Sequence, residues 1–541
     1  MRSPVGSGRV LALALLVPLL AVAMVPAAPA ETFWTDDASI SDGDVNESYT
    51  SLNHQRFAAV DDSNNLYICF YDNRNKSGND NNFEIYFRRF TFNFGSPAVT
   101  RVTNAPNPSK NPSMAILNWG RGDLPTFNDS GRVYLAWQDA RTYDIPLAGE
   151  PRSYSIFFRT YQSRGGVGFG PEYQVSPTDT IDAATSPSVA VDPSHQAWIV
   201  WQRSNSQAAP DLWYAVYDAN ARTMGAPVRL TEYDAFSSVA PSVAATRGGD
   251  VHVVWADNRT GSNKIWWKVN SGGTWSTDSQ LVFSSASASA PSLTADFAGR
   301  LHLVWVDNRT GNNEIWYKQY TPGVGWDEVD TQVTLNSASQ IQPYVDADPM
   351  GNLYVVWTDL RNGSAVNWDI YYKDRRDGVW GGEIQLVGNP TDGGLSVTQR
   401  LPGITHDSEG TTYVTWTDER LPASTDRNKD VFYKSGYYNV TAVAAAPQPS
   451  VSRLLSNYPN PFNPQTTIRF DLKRDGPVSL RAYDVQGRLV RTLVDTYLAS
   501  GPREVPWDGR DDSGRSISSG TYYLRLEYPG GYLSKAVSLV K

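Results

Sequence analysis

One pattern recurs along the chain: a short segment opened by proline, a hairpin, a strand ending in Trp-x-Asp-x-Arg, a Gly/Asn turn and an aromatic strand. Its clearest copies are PSVAATRGGDVHVVWADNRTGSNKIWWK at 241–268, PSLTADFAGRLHLVWVDNRTGNNEIWYK at 291–318 and PYVDADPMGNLYVVWTDLRNGSAVNWDIYYK at 343–373. Weaker copies centre on Phe70, Trp137, Trp201 and Trp416, so seven aromatic anchors follow one another at separations of 50 to 67 residues. A period near 50 with about four short strands per unit predicts an all-β fold, a seven-bladed β-propeller. In the Trp305 unit the strands are expected at Pro291 to Asp296, Leu301 to Val306, Glu314 to Gln319 and Gln332 to Asn336. The second reads Leu-His-Leu-Val-Trp-Val, nearly continuous apolar, as a strand covered on both faces must. The last unit has no evident outer strand, whereas Phe33-Trp34-Thr35-Asp36-Asp37-Ala38-Ser39-Ile40 resembles the outer segment Trp275-Ser-Thr-Asp-Ser-Gln-Leu-Val282. The chain near residue 31 is therefore expected to complete the seventh blade and to remove the exposed sheet edges.

Composition narrows the class. The 541 residues carry 47 basic and 56 acidic side chains, a formal charge of −9, which argues against nucleic acid as a partner. With 18 Trp, 29 Tyr and 18 Phe, the chain is far too aromatic to be disordered. Arg2 and Arg9, an apolar run from Val10 to Val25 and then Ala28-Pro29-Ala30 read as a secretory signal peptide over 1–30. No other run is long and apolar enough to span a bilayer. Cys69 is the single cysteine, so no disulfide within the chain supports the exported fold, and a large packed core must do so. The propeller is expected over 31–440, followed by a small-residue linker, 441–453, and an immunoglobulin-like β-sandwich over 454–541.

The last segment carries specific motifs: Asn457-Tyr-Pro-Asn-Pro-Phe-Asn-Pro464, Tyr483-Asp-Val-Gln-Gly-Arg488, Trp507-Asp-Gly-Arg-Asp-Asp-Ser-Gly514 and Ser519-Gly-Thr-Tyr-Tyr523. They resemble the C-terminal type A sorting domain of type IX secretion substrates, which overlaps with the FlgD-like immunoglobulin domain. The resemblance implies delivery by the type IX machinery to the bacterial surface or the medium. The WDGRDDSG turn is the feature typical of the FlgD-like relatives.

Polar residues that repeat are read as blade structure. Asp-x-Arg follows the anchor at Asp72/Arg74, Asp139/Arg141, Asp257/Arg259, Asp307/Arg309, Asp359/Arg361 and Asp418/Arg420. A pocket needs a residue once and a blade needs it every time, so Asp is expected to cap its own turn and Arg to pair with it. His252 and His302 stand where other units carry Tyr67, Tyr134, Trp198, Tyr354 and Tyr413, as replacements for a large ring. His54 and His406 do not repeat. No metal ligand set is evident and no cofactor is required, although the Asp/Asn-rich loop from Asp72 to Glu84 has the oxygen-rich composition of a calcium site.

Positions where one unit breaks the pattern are the candidates for binding. Six units open with Pro112, Pro187, Pro241, Pro291, Pro343 and Pro402, while the first has Arg56, inside His54-Gln55-Arg56-Phe57. The seventh carries Gln399-Arg400-Leu401-Pro402. In a closed ring the two units are neighbours, so Arg56 and Arg400, with His54 and Gln399, are expected to meet at a ligand-binding face. Arg400-Leu-Pro-Gly-Ile resembles the Arg-Ile-Pro signature of sialidase-like, BNR-type propellers, and Asn270-Ser-Gly-Gly-Thr-Trp275 resembles a degenerate Asp-box. Two readings follow. One is an exported propeller that binds an extracellular glycan or protein; the other is a sialidase-like glycoside hydrolase acting on anionic glycans. Glycosidase chemistry needs two carboxyl groups at a defined separation, and the sequence singles out no such pair.

Overall fold

The computed structural model describes the chain outside residues 1–30, 42–46, 52–55, 62–63, 76–81, 92–97, 117–130, 142–152, 164–167, 178–182, 206–207, 349, 362–367, 388–397, 408–409, 420–428, 440–450, 456, 458, 475 and 499–500. The expected signal peptide, most of the linker and His54 thus lie outside the described residues. Among the described residues every regular element is a strand, and no helix is long and apolar enough to cross a membrane. The first 439 residues hold seven antiparallel sheets of four or five strands, one around each aromatic anchor. The innermost strands pack one on the next, from Ala58–Val60 through Ser109–Ile116, Ala183–Val191, Ser238–Ala245, Ala288–Ala295 and Gln340–Ala347 to Gln399–His406. The last of these packs in turn against Ala58–Val60.

The inner strands begin three or four residues before the proline at which the sequence suggested they would open. Proline has no N–H for the ladder, so inside a strand it is accommodated at a bulge. The register shifts there in each of the six proline-bearing strands. The residue before the proline takes the left-handed conformation: Asn111, Ser186, Ala240, Ala290, Gln342 and Leu401 have φ between 51° and 57°. The outer edge also differs from expectation. In the Trp305 sheet it is two short pieces, Gly325–Trp326 and Thr331–Gln332, both paired with Glu314–Thr321. Between them Asp330 turns inward to Arg309, at 2.7 Å, and Lys318, at 2.9 Å.

Packing explains the repeated aromatics. The anchor tryptophans of six sheets are fully buried, on strands such as Leu301–Asp307 that are buried along their whole length. Trp275, Trp326 and Trp380, at the outer edges, stand edge-on against rings of the preceding sheet, on Tyr214, Trp267 and Tyr317 respectively. The turn that resembles an Asp-box therefore delivers an inter-sheet plug. The Asp-x-Arg pairs also serve the sheets. Asp257 accepts from the Trp255 indole, the Ser238 hydroxyl, and the backbone and guanidinium of Arg259. Arg259 lies 4.5 Å over Trp266 and reaches Asp278. Arg309 and Arg361 repeat this arrangement on Trp316 and Tyr371, whereas Arg420 lies outside the described residues.

Near the start of the described chain, Glu31–Trp34 and Ala38–Ser39 both pair with Asp430–Asn439 of the Trp416 sheet. The contacts copy those of the outer edge elsewhere. Asp37 meets Lys434 at 2.9 Å, as Asp278 meets Lys268 at 2.8 Å. Trp34 stands edge-on to Tyr372 at 5.3 Å, as Trp380 does to Tyr317.

After residue 450 come two further sheets. One holds Arg453–Leu454, Thr466–Leu472 and Gly501–Trp507; the other holds Leu489–Leu498, Gly476–Tyr483, Gly520–Tyr528 and Gly531–Leu539. They share a core that includes Phe462, Ile468, Phe470, Leu480, Trp507, Leu524 and Val537. The sorting-type motifs have structural work within it. Phe462 packs on Trp507 with ring centres 5.3 Å apart, and the Trp507 indole donates to the Arg510 carbonyl at 3.0 Å, closing the WDGRDDSG turn.

Candidate functional site

Along most of the series of inner strands, neighbours are tied by one repeated bond. The hydroxyls of Ser113, Ser188, Ser242 and Ser292, each just after its proline, accept from the N–H groups of Val189, Val243, Leu293 and Val345 on the next strand, at 3.0–3.3 Å. The series lapses where Tyr344, Gly403 and Phe57 take the serine's place. Gly403 lies under the Phe57 ring, and a Cβ there would stand 2.6 Å from a ring carbon.

At this lapse the polar residues of the inner strands converge. Arg56 occupies the column that proline fills elsewhere, and its side chain reaches the inner strands of the Trp305 and Trp357 sheets. Its Nε donates to the Tyr344 hydroxyl at 3.1 Å, and its Nη2 meets Thr294 Oγ1 at 3.2 Å and Asp346 Oδ1 at 3.4 Å. His406 Nδ1 lies 3.3 Å from the other Asp346 oxygen, with the imidazole packed on Tyr354 at 3.8 Å between ring centres. Arg56 also lines a cavity of about 110 Å³ with Ala115, Ala190, Ala244 and Thr294, all from inner strands. Its side chain keeps 33% of its exposure, against 14% for Asp346. Among the described residues no acceptor meets Nη1.

The electrostatics set each group's state. Burial opposes a charge on Arg56, but Tyr344 and Asp346 outweigh it and hold the guanidinium protonated above its usual range. Burial likewise disfavours the Asp346 carboxylate, and Arg56 and then His406 overcome that and hold it below the usual carboxylate range. Burial pushes Tyr344 up to about 12 in spite of Arg56, so its hydroxyl keeps its proton near neutrality. The cluster is thus a fixed arginine–carboxylate pair beside a phenol and an imidazole.

The other residues expected here lie elsewhere. Arg400 does not reach Arg56's partners; its Nη2 pairs with Glu419 at 3.0 Å. Pro402, not Arg400, is the equivalent of Arg56; Arg400 stands two residues earlier, ahead of the bulge at Leu401. Gln399 is fully buried, with its amide nitrogen oriented to Asp369 and to the Trp368 carbonyl. His54 lies outside the described residues. Of the calcium-like loop, 76–81 are likewise outside, and the carboxylates at its ends are engaged: Asp72 with Arg74 and Ser48, Glu84 with Arg101, Thr103 and the Ala105 N–H. Tyr344, Asp346 and Thr294 were not singled out by sequence. The available signal was a departure within a repeat column: Ser becomes Tyr344, and Ala becomes Thr294 and Asp346.

Residues 460–531 match the FlgD Ig-like domain. No curated protein matches the chain. Among solved structures, a protein of unknown function from Dyadobacter fermentans is 12% identical, with a TM-score of 0.41 over 74% of this chain and 99% of its own. A family PL25 ulvan lyase, bound to a sulfated glucuronic acid–rhamnose fragment, is 10% identical with a TM-score of 0.47, over 74% of this chain and 95% of its own. PorZ, a surface component of the type IX secretion system of Porphyromonas gingivalis, is 13% identical with a TM-score of 0.28, over 90% of this chain and 70% of its own.

Proposed function

We propose that this chain is an exported binding protein whose seven sheets are the blades of one closed propeller, with Arg56 at its axis receiving an anionic group of an extracellular glycan or protein. The observation that carries this reading is Arg56 itself. It is the one departure from the proline column; its side chain is fixed by Tyr344 and Asp346, and it is still one-third exposed on the axial cavity. A guanidinium offers five donors in a fixed fork, and those on the Nη1 side suit a carboxylate or sulfate oxygen. The cavity is smaller than the roughly 300–1,000 Å³ usual for a small-molecule site, so it takes the charged end of a larger ligand and leaves the rest outside. Ring closure is supported by the packing of Gln399–His406 on Ala58–Val60 and by the match between the Trp34 segment and the outer edges of other sheets.

The domain plan of this reading is a signal peptide at 1–30, the propeller at 31–440, a linker at 441–453 and an immunoglobulin-like sorting domain at 454–541. The FlgD Ig-like match and the sorting-type motifs support delivery by type IX machinery to the cell surface or the medium. The reading assigns no cofactor.

Binding is favoured over sialidase-like hydrolysis by the cluster's chemistry. It contains one carboxylate, where glycoside hydrolysis by paired carboxyls needs two, and its tyrosine is held protonated, which is unsuited to a nucleophile. The test is a panel of anionic and neutral glycans presented to the pure protein and scored for binding and for release of reducing ends. Anionic glycans should bind without turnover. Arg56→Ala should weaken that binding roughly 10- to 100-fold, as expected for a lost charge-assisted bond of about 1.5–3 kcal/mol. Unchanged binding by the variant overturns the site, and released reducing ends overturn the binding-only function.

A further inference from the structure

A second polar arrangement breaks the repeat, at the turn that follows the inner strand. In five units an aspartate there receives the polar atom of the large ring on the neighbouring strand. Asp61 accepts from the Tyr67 hydroxyl at 2.7 Å, Asp192 from the Trp198 indole at 2.9 Å, Asp348 from the Tyr354 hydroxyl at 2.9 Å and Asp407 from the Tyr413 hydroxyl at 3.3 Å. Asp296 meets His302 Nε2 at 3.2 Å. Four residues on, this aspartate often takes a side-chain donor as well: Asn65 on Asp61, Arg300 on Asp296 and Asn352 on Asp348.

The Trp255 unit inverts this pattern. Thr246 stands in the aspartate's place, and the acid has moved to Asp250, where the other units place the donor. His252 keeps the position of the ring. Its Nδ1 accepts from the Trp267 indole at 3.1 Å, just as His302 Nδ1 meets the Tyr317 hydroxyl. The neutral imidazole therefore carries its proton on Nε2, which by the same geometry is turned toward residue 246. His252 is only 2% exposed, and among the described residues no acceptor meets that N–H. Burial pushes its imidazolium form down to about 4, so the donor is a neutral N–H over the ordinary pH range.

The space in front of it is a cleft. Thr246, Arg247, Asp250, His252, Phe297 and Tyr320 lie on its wall, which encloses about 460 Å³, within the roughly 300–1,000 Å³ of small-molecule sites. Phe297 is 37% exposed, and the Arg247 guanidinium lies 4.2 Å from its ring centre. The wall thus combines a carboxylate acceptor, a hydroxyl, a buried N–H donor and a guanidinium from residues 246–252 with an exposed aromatic face from the next unit.

We propose that this cleft, separate from the Arg56 cavity, is a binding site for a neutral pyranose sugar, whose hydroxyls replace the aspartate missing from this unit by accepting from His252 Nε2–H and donating to Asp250. A sugar ring has the alternating donors and acceptors this wall demands and an apolar C–H face to lie on Phe297 or Tyr320. A simple anion could pair with Arg247 but would leave Asp250 without a donor, and an apolar ligand would leave both His252 and Asp250 unpaired, at the cost that burying unsatisfied polar groups carries.

The decisive variant restores the repeat. Thr246→Asp together with Asp250→Asn recreates the Asp348, Asn352 and Tyr354 arrangement, fills the cleft with a carboxylate for His252 and should fold at least as well as wild type by thermal melting. Titrate the full chain with a panel of neutral mono- and disaccharides, followed by calorimetry and ligand-observed NMR. The wild type should bind at least one sugar at millimolar concentration. The double variant should bind it at least about tenfold more weakly, as the loss of about one or two hydrogen bonds implies, and Phe297→Ala should also weaken it. Arg56→Ala should leave this affinity unchanged, so failure here is distinguishable from failure of the axial site. Absence of any neutral-sugar binding by the wild type, or equal affinity in the double variant, overturns the proposal.

Discussion

The Trp255 and Trp305 units share their anchors, turns and strand order, yet the same histidine has different fates in them. His302 is locked between Tyr317 and Asp296, with Arg300 completing the carboxylate's shell at 2.6 Å. His252 holds the corresponding bond to Trp267 but faces Thr246, with no carboxylate opposite. The anchors behave alike in both: Trp255 and Trp305 are fully buried and donate to Asp257 and Asp307 at 3.1 and 3.4 Å. The construction of each sheet is therefore carried by the anchor and its Asp-x-Arg turn, while the turn after the inner strand is free to vary. Where it varies, a buried polar group is left facing a cleft.

The largest expected effect tests the shared half of this comparison. Trp255→Ala and Trp305→Ala should each cost about 3–5 kcal/mol, and by nearly the same amount, measured by chemical denaturation of the full chain. Both substitutions open a cavity between sheets and leave an aspartate without its indole donor. Costs that differ by more than about 2 kcal/mol would show that the two units are not energetically equivalent despite their geometry.

The histidines test the half that differs. Burial lowers the pKa of both, so in each case the unfolded chain takes up a proton before the folded chain does. Stability is therefore fully present above about pH 6.5 and falls as the pH drops. For His252 the window runs from about 6.5 down to about 4, and the whole fall is on the order of 3 kcal/mol. His252→Phe keeps a large ring without a titrating group, so the acid-induced fall over this window should shrink by about that amount in denaturation curves recorded at several pH values. An unchanged pH dependence would mean that His252 is hydrated in the folded protein.

Much of this architecture was legible because it is periodic. The aromatic anchors, the Asp-x-Arg turns and the likeness of Trp34 to Trp275 are repeated physical solutions, and repetition makes each copy evidence for the others. The bulges were not legible, because proline reads as an opener of strands, and only the left-handed φ at residues such as Ala290 shows the chain continuing through it. In the C-terminal sandwich, Leu489–Leu498 and Gly501–Trp507 carry little sequence signal as strands. The first is half exposed, without a clean alternation, and the second contains Pro502 and Pro506, which argue against a strand on local grounds. At the candidate site, Arg56 stood out as a departure from a column of prolines. Tyr344 and Asp346 depart from their columns in the same way, one and three residues after Pro343, but an aromatic ring or an acid within a strand has an ordinary structural reading and does not stand out as a charge in a proline column does. Arg400 illustrates the opposite error: it belongs to a signature-like run but lies two residues before the column that Arg56 occupies, and it pairs with Glu419.

The smallest effect concerns the donor that accompanies the aspartate. Arg300 pairs with Asp296, but 35% of its side chain is exposed, so solvent screens the attraction and the pair is worth about 0–1 kcal/mol. The Tyr67 and Tyr354 units show that asparagine can serve instead, since Asn65 and Asn352 donate to their aspartates at 2.7 and 2.8 Å. Arg300→Asn should therefore change stability by less than about 1 kcal/mol and leave the His302 environment intact, as judged by the imidazole resonances in NMR. Arg300→Asp, which imitates Asp250 while Asp296 is still present, should be worse, because it places a second carboxylate beside the one that His302 requires. If the two variants are equally stable, the carboxylate at 296 is not what keeps His302 in place, and the contrast between the two turns would have to rest on the threonine alone.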